Sequence, residues 1–170
     1  LMSETPWSDE VTERDAGAGY HFVELLALDD GSEADLDHDW GSQDGPVRIQ
    51  PGRVYLESFC DLQYPVIRLR AYRARPSDGQ PDGLLGVWPV VFCGREVSVW
   101  SGDSLPGEAR PLRLEPSPGG QYGMRVAVTR IESDGDIDDY ALARYEQDGD
   151  QPHDLESFSV DFWPKVGADS

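Results

Sequence analysis

Residues 65–75 read PVIRLRAYRAR, which places Ile67, Leu69 and Ala71 on one side of an extended chain and Arg68, Arg70 and Tyr72 on the other. Side chains of a strand alternate between two faces, so this pattern predicts a strand with one face in a core and one in water. The same period recurs along the chain. Residues 53–59 (RVYLESF) set Val54, Leu56 and Ser58 against Tyr55, Glu57 and Phe59. Residues 95–100 set Val97 and Val99 against Glu96, Ser98 and Trp100. In residues 121–131, Tyr122, Met124, Val126 and Val128 share a face, and in 155–164 Phe158, Val160 and Phe162 do.

Shorter β signals fill the gaps. Residues 20–28 (YHFVELLAL) and 47–50 read as strands, the second followed by the turn pair Pro51-Gly52. Residues 84–93 contain Gly86 and Pro89, which fits a bent or edge strand, and residues 112–114 form a short one. About eight short strands separated by turns predict an all-β fold, a single antiparallel β-sandwich. One short helix is expected near 137–147, where Ile137, Tyr140, Ala141 and Tyr145 have helical spacing. No repeat or linker divides the core. The expected organisation is a mobile N-terminal arm over 1–18, the sandwich over 19–165 and a tail over 166–170. The predicted core holds Ile67, Leu69, Val97, Val99, Val126, Val128, Phe158, Val160 and Phe162.

Charge restricts function more than any motif does. The chain of 170 residues carries 33 acidic and 14 basic side chains, a formal charge of −19. Residues 1–50 hold 13 acids against two arginines, and residues 131–170 hold 12 acids against Arg144 and Lys165. Residues 51–130 hold eight acids and ten arginines. Such a field repels nucleic acid and anionic membrane surfaces, so neither is an expected partner. The stripe of Arg68, Arg70, Arg73 and Arg75 is expected to neutralise local acids rather than to read phosphates.

Catalytic and metal signatures are weak. There is no GxSxG turn, and neither Cys60 nor Cys93 lies in a nucleophile motif. Both cysteines lie in apolar stretches that suit buried free thiols, although spacing leaves a disulfide between them open. Without CxxC pairs a structural zinc is not expected. Asp134, Asp136 and Asp138 alternate as in a calcium loop, but Asp139 and Tyr145 stand where the EF-hand needs Gly and Glu. His38 and His153 lie beside aspartates in acidic loops. The expectation is no enzyme activity, no metal and no cofactor. The alternatives are a metal site of His153 with Asp148, Asp150 and Asp154, or an irregular calcium site. No secretory leader is read and thiols are few, so a cytoplasmic location is expected.

The acidic segments 29–44 and 132–156 remain as the functional candidates. Carboxylates along loops can stand in for DNA phosphates in a basic cleft, and opposite fields speed association. The expected contact residues are Asp35, Asp37, Asp39 and Trp40 in the first segment, and Asp136, Asp138, Asp139 and Tyr140 in the second. The expected partner is a basic protein such as a nuclease or another DNA-handling protein. A structural component of a larger assembly, joined through sheet edges and the aromatic terminal strand, is the competing reading.

The runs REVSVW, PLRLEP, GGQYGMRVAV and LESFSVDFWP together resemble a group of small acidic actinobacterial proteins that end in a Phe-Trp-Pro strand, here Phe162-Trp163-Pro164. That group is more distantly similar to nuclease inhibitors of the competence protein J type. An early Tyr-His pair, here Tyr20-His21, and a Gly-x-Tyr strand, here Gly120-Gln121-Tyr122, carry the likeness. The resemblance spans roughly residues 19–164 and implies a β-sandwich with an inhibitory or immunity-like binding role. It implies no particular site residue, and the acidic insertion at 132–154 departs from the inhibitor pattern.

Overall fold

The computed structural model describes residues 6–27, 45–77, 80–103 and 105–165. Among them lie β1 (Trp7–Glu13), β2 (Phe22–Leu26), β3 (Val47–Gln50), β4 (Arg53–Glu57), β5 (Val66–Tyr72) and β6 (Leu84–Val91). Next come β7 (Glu96–Ser101), β8 (Leu112–Arg113), β9 (Gln121–Arg130), the helix α1 (Ile137–Asp148) and β10 (Glu156–Pro164). The strands form two five-stranded sheets, in the orders β1-β5-β10-β9-β6 and β3-β4-β2-β7-β8. The fold is a β-sandwich, as the alternation predicts. No helix among the described residues is long and apolar enough to cross a membrane.

The alternating residues build the core. Val23, Leu25, Val54, Leu56, Val97 and Val99 from the second sheet meet Ile67, Leu69, Met124, Val126, Phe158, Val160 and Phe162 from the first. Phe92 closes one end, with ring centres 5.6 Å from Phe162 and 6.0 Å from Tyr122. Every expected core residue is buried except Val128, which is half-buried near the end of β9 and still packs on the core. The β5–β10 pairing is parallel, whereas the other strand pairings are antiparallel. These two strands are far apart in sequence, so no hairpin fixes their relative direction.

Three expectations are corrected. Residues 7–13, expected in a mobile arm, form the edge strand β1, paired antiparallel to β5. Its inward residues are Val11 and Glu13, and Glu13 is 1% exposed. The Glu13 carboxylate accepts from the backbone N–H groups of Ala109 (2.9 Å), Arg14 (3.0 Å) and Asp15 (2.9 Å). A carboxylate thus occupies an inward position normally held by an apolar side chain, which hides the strand from hydropathy. Tyr20 and His21, expected to open a strand, lie in a single 3-10 turn before β2. Cys93 is exposed, Cys60 is buried, and both are free thiols.

Two arginines of the stripe, Arg70 and Arg73, meet acids. Glu10, Arg70, Asp161 and Arg125 lie side by side across four strands of the first sheet. Arg70 meets Glu10 at 2.8 Å, Arg125 meets Asp161 at 2.7 Å, and Arg73 reaches Glu115 at 3.5 Å. On the second sheet Glu24 is 1% exposed, opposite Tyr55 on β4 and Trp100 on β7. Burial pushes its carboxyl up to about 7, and Arg53 only partly offsets this.

Two predictions follow from this packing. Phe162→Ala should cost about 3–5 kcal/mol in urea denaturation, because it opens a cavity where the sheets meet. The native Glu24 keeps its proton above the ordinary carboxyl value of 4.5, so its contribution to stability declines as pH rises from there to about 7. Glu24→Gln should remove a decline of roughly 1–3 kcal/mol across that window, measured by denaturation at stepped pH. An identical pH slope in parent and variant would rule out this role for Glu24.

Candidate partner-binding site

The site is organised by the chain between β4 and β5, residues 58–64, at one end of the sandwich. Glu156 opens β10 with a side chain fully withdrawn from solvent. Arg130 Nε donates to it at 2.6 Å, Ser58 Oγ at 2.7 Å and Gln63 Nε2 at 3.0 Å. The Phe59 N–H also points to it at 3.3 Å, and the Arg130 guanidinium lies over the Phe59 ring at 5.2 Å. Gln63 Nε2 further bonds Ser58 Oγ at 2.7 Å and the Cys60 carbonyl at 3.2 Å. A buried charge is tolerated only when paired and hydrogen-bonded, so this network fixes the 58–64 loop on β10.

One flank of the loop holds the turn before β2. The Ser58 N–H donates to the His21 carbonyl at 2.7 Å, and Ala18 N–H to the Gln63 carbonyl at 3.3 Å. Asp61 accepts from the His21 N–H and lies 3.3 Å from His21 Nε2. Gly102 presses on the turn from the other side, since a Cβ there would stand 1.7 Å from the Gly19 carbonyl oxygen. Within this frame Tyr20 (φ 56°) and His21 (φ 67°) are the non-glycine residues with positive φ among those described. Each such left-handed residue costs of order 1–3 kcal/mol and persists only when its surroundings over-determine it. Tyr20 is nevertheless 75% exposed.

The other flank holds α1. Asp136 caps it by accepting from the Asp138 N–H at 2.8 Å, and the helix stops at Gly149, whose N–H bonds the Tyr145 carbonyl. Asp138 and Asp139 in the first turn suit the helix dipole. The helix buries only Ala141 fully, and with Ile137 it packs on Cys60, Leu155, Phe59, Leu62 and Ile131. Burial, with Asp138 beside it, pushes the Cys60 thiol up to about 12, so it is inert as a nucleophile. Tyr140, Leu142 and Tyr145 face solvent at 38%, 47% and 42% exposure. Arg144 is held by Asp148 at 3.5 Å and Asp154 at 3.3 Å, with Tyr140 alongside.

The residues expected to make contact are therefore unequal. All four residues of the second segment are exposed, but Asp136 is engaged as the cap and Asp138 lies beside Cys60, which leaves Asp139 and Tyr140 without a structural task of that kind. Asp35, Asp37, Asp39 and Trp40 lie outside the described residues. The alternative metal set is not gathered. His153 stacks on Tyr64 at 4.8 Å, Asp148 and Asp154 face Arg144, and no group of three or more potential ligands occurs among the described residues. Tyr20, His21 and Asp61 join the site without having been singled out as contacts. The glycines at 17 and 19 signal a turn there, but no sequence rule anticipates a Tyr-His pair at positive φ.

No family model matches the chain, and no curated protein matches it. Among solved structures it is similar to ComJ of Bacillus subtilis, described as an inhibitor of the DNA-degrading activity of NucA. That likeness has a TM-score of 0.53 at 10% identity and covers 96% of this chain and 100% of ComJ. A protein described as crocagin biosynthetic gene J matches with a TM-score of 0.49 at 13% identity, over 94% of this chain and 99% of its own. At such identity the ComJ likeness establishes a shared fold across nearly the whole chain.

With so little of α1 buried, its cap should matter to its persistence. Asp136→Ala should destabilise the protein by about 1 kcal/mol and selectively raise amide exchange within 137–148. Unchanged exchange there would show that packing alone holds the helix.

Proposed function

We propose that this chain is a non-catalytic, cytoplasmic protein-binding module of inhibitor or immunity-like type, whose acidic end engages a basic protein such as a nuclease. The observation that carries the reading is the large apolar surface that α1 leaves exposed. A helix that served only to cover the sandwich would turn its large apolar side chains inward. Here Tyr140, Leu142 and Tyr145 are exposed, in a stretch (132–150) holding eight carboxylates and one arginine. Aromatic and aliphatic anchors within a charged rim are the usual make-up of a protein interface.

The carboxylates of Asp139, Glu146 and Asp150 would meet lysines and arginines that otherwise contact phosphates, while Tyr140 and Tyr145 enter apolar recesses between them. Asp136 and Asp138 add charge at the helix start. Asp35, Asp37, Asp39 and Trp40 are the further contacts proposed from sequence. The shared fold with ComJ, itself described as a nuclease inhibitor, supports this choice of partner class.

A pull-down from the native host followed by kinetics tests the proposal. Asp139→Asn with Glu146→Gln should slow association about 3–10-fold at low salt and flatten its ionic-strength dependence. Tyr145→Ala should mainly speed dissociation. A recovered partner that binds the charge variant as fast as the parent would reduce the acidic surface to a solubility device. Salt-independent binding would instead favour assembly through apolar sheet edges.

A further inference from the structure

The C-terminal end of β10 carries a feature that the partner-binding end does not use. Trp163 lies opposite Gly123 of β9, and a Cβ at 123 would stand 2.3 Å from the indole. Glycine there lets the ring lie flat against the neighbouring strand. The ring is 2% exposed, and its Nε1–H meets no acceptor among the described residues. Beside it a cleft of about 250 Å³ opens between β6 and the chain that follows β5.

The lining of this cleft has a distinct chemistry. Pro76, Pro81, Leu84 and Val87 give it apolar walls, and Val87 is 41% exposed. Arg125 also lines it, but its guanidinium is held by Asp161 at 2.7 Å. Arg75 is different. It sits 5.6 Å from the Trp163 ring centre and meets no carboxylate among the described residues. In a chain of net charge −19, this guanidinium beside apolar walls is a positive charge that no acid among the described residues neutralises.

We propose that this cleft binds a small carboxylate with a compact apolar body. Arg75 pairs with the carboxylate, and the body rests against Pro76, Pro81 and Val87. The volume lies below the roughly 300–1,000 Å³ of pockets that take drug-sized ligands, which limits the occupant to about the size of one side chain. A free organic acid and the terminal carboxylate of a peptide with its last apolar side chain share this chemistry.

The test is a titration of the full ¹⁵N-labelled chain, following the indole N–H resonance of Trp163. The probes are phenylacetate, N-acetylphenylalanine and the neutral isostere phenylacetamide, each taken to roughly 20 mM to reach millimolar affinities. The expected result is a saturable shift with a carboxylate and none with the amide. Tighter binding of N-acetylphenylalanine identifies a peptide terminus, and tighter binding of phenylacetate a free acid. Arg75→Gln should weaken binding about tenfold or more, because a charge-assisted contact is lost at an exposed position that tolerates replacement. Val87→Glu, which places a like charge at the mouth, should abolish it, while Arg113→Gln on β8 should change nothing. No shift over this range, an equal response to phenylacetamide, or unaltered affinity in Arg75→Gln would each overturn the proposal.

Discussion

The Glu156 carboxylate and its four donors determine where everything at this end of the sandwich can sit. Arg130 ties it to β9, while Ser58, Phe59 and Gln63 tie it to the loop between β4 and β5. Through that loop the network reaches the 18–21 turn on one side and the Cys60 platform under α1 on the other. An ion pair of this kind contributes little net stability, because desolvation consumes most of the Coulomb attraction. Its value lies in specificity. An apolar residue at 156 would pack in several loop arrangements, whereas a buried carboxylate has low energy in the one arrangement that supplies its donors.

The charge is placed according to what each region must do. Within the sandwich, acids and arginines alternate across neighbouring strands, as in the row Glu10, Arg70, Asp161 and Arg125. Cross-strand opposite charges add modestly to pairing and cancel in the far field. The second half of the chain departs from this balance only after β9, where eight carboxylates and one arginine fill residues 132–150. Self-repulsion among them disfavours compaction, so they are carried by a loop and a lightly packed helix rather than by the sheets. Among the described residues the sandwich is thus nearly neutral, and the excess negative charge is concentrated in 132–150.

Most of the sandwich is legible in the sequence because its strands obey one rule, apolar in and polar out. β5, β7 and β9 follow that rule closely, and in β4 and β10 the apolar set Val54, Leu56, Phe158, Val160 and Phe162 still faces the core although residues of the other face are buried too. β1 breaks it, because Glu13 satisfies its burial with backbone donors that come partly from the distant Ala109. Neighbours of that kind cannot be seen in a local window. The site is less legible for the same reason. α1 is visible in its spacing, but the division of labour among Asp136, Asp138 and Asp139 depends on a cap and on a thiol from another part of the chain. The turn at Tyr20 is fixed by Asp61 and Gly102, both remote in sequence, and its backbone contradicts the local preference of Tyr20.

Two energetic costs converge on the 58–64 loop, and each has a cheaper alternative. A sequence selected for stability alone would put Gly or Asn at the φ of Tyr20, where a bulky residue is strained. It would also put polar side chains on α1 in place of the exposed Tyr140, Leu142 and Tyr145. Neither cost is repeated elsewhere among the described residues at this density. The positive-φ non-glycines are confined to this turn, and three of the seven large exposed hydrophobics sit on one three-turn helix, with Tyr20 a fourth beside the same loop. A frame that satisfies its buried charges so fully at Glu156 and Glu13 is not loosely specified, so general laxity does not account for strain and exposed apolar surface at one place. Under the proposed function, a surface that presents aromatic rings to another molecule accounts for both, because rings already held in position lose little freedom on binding.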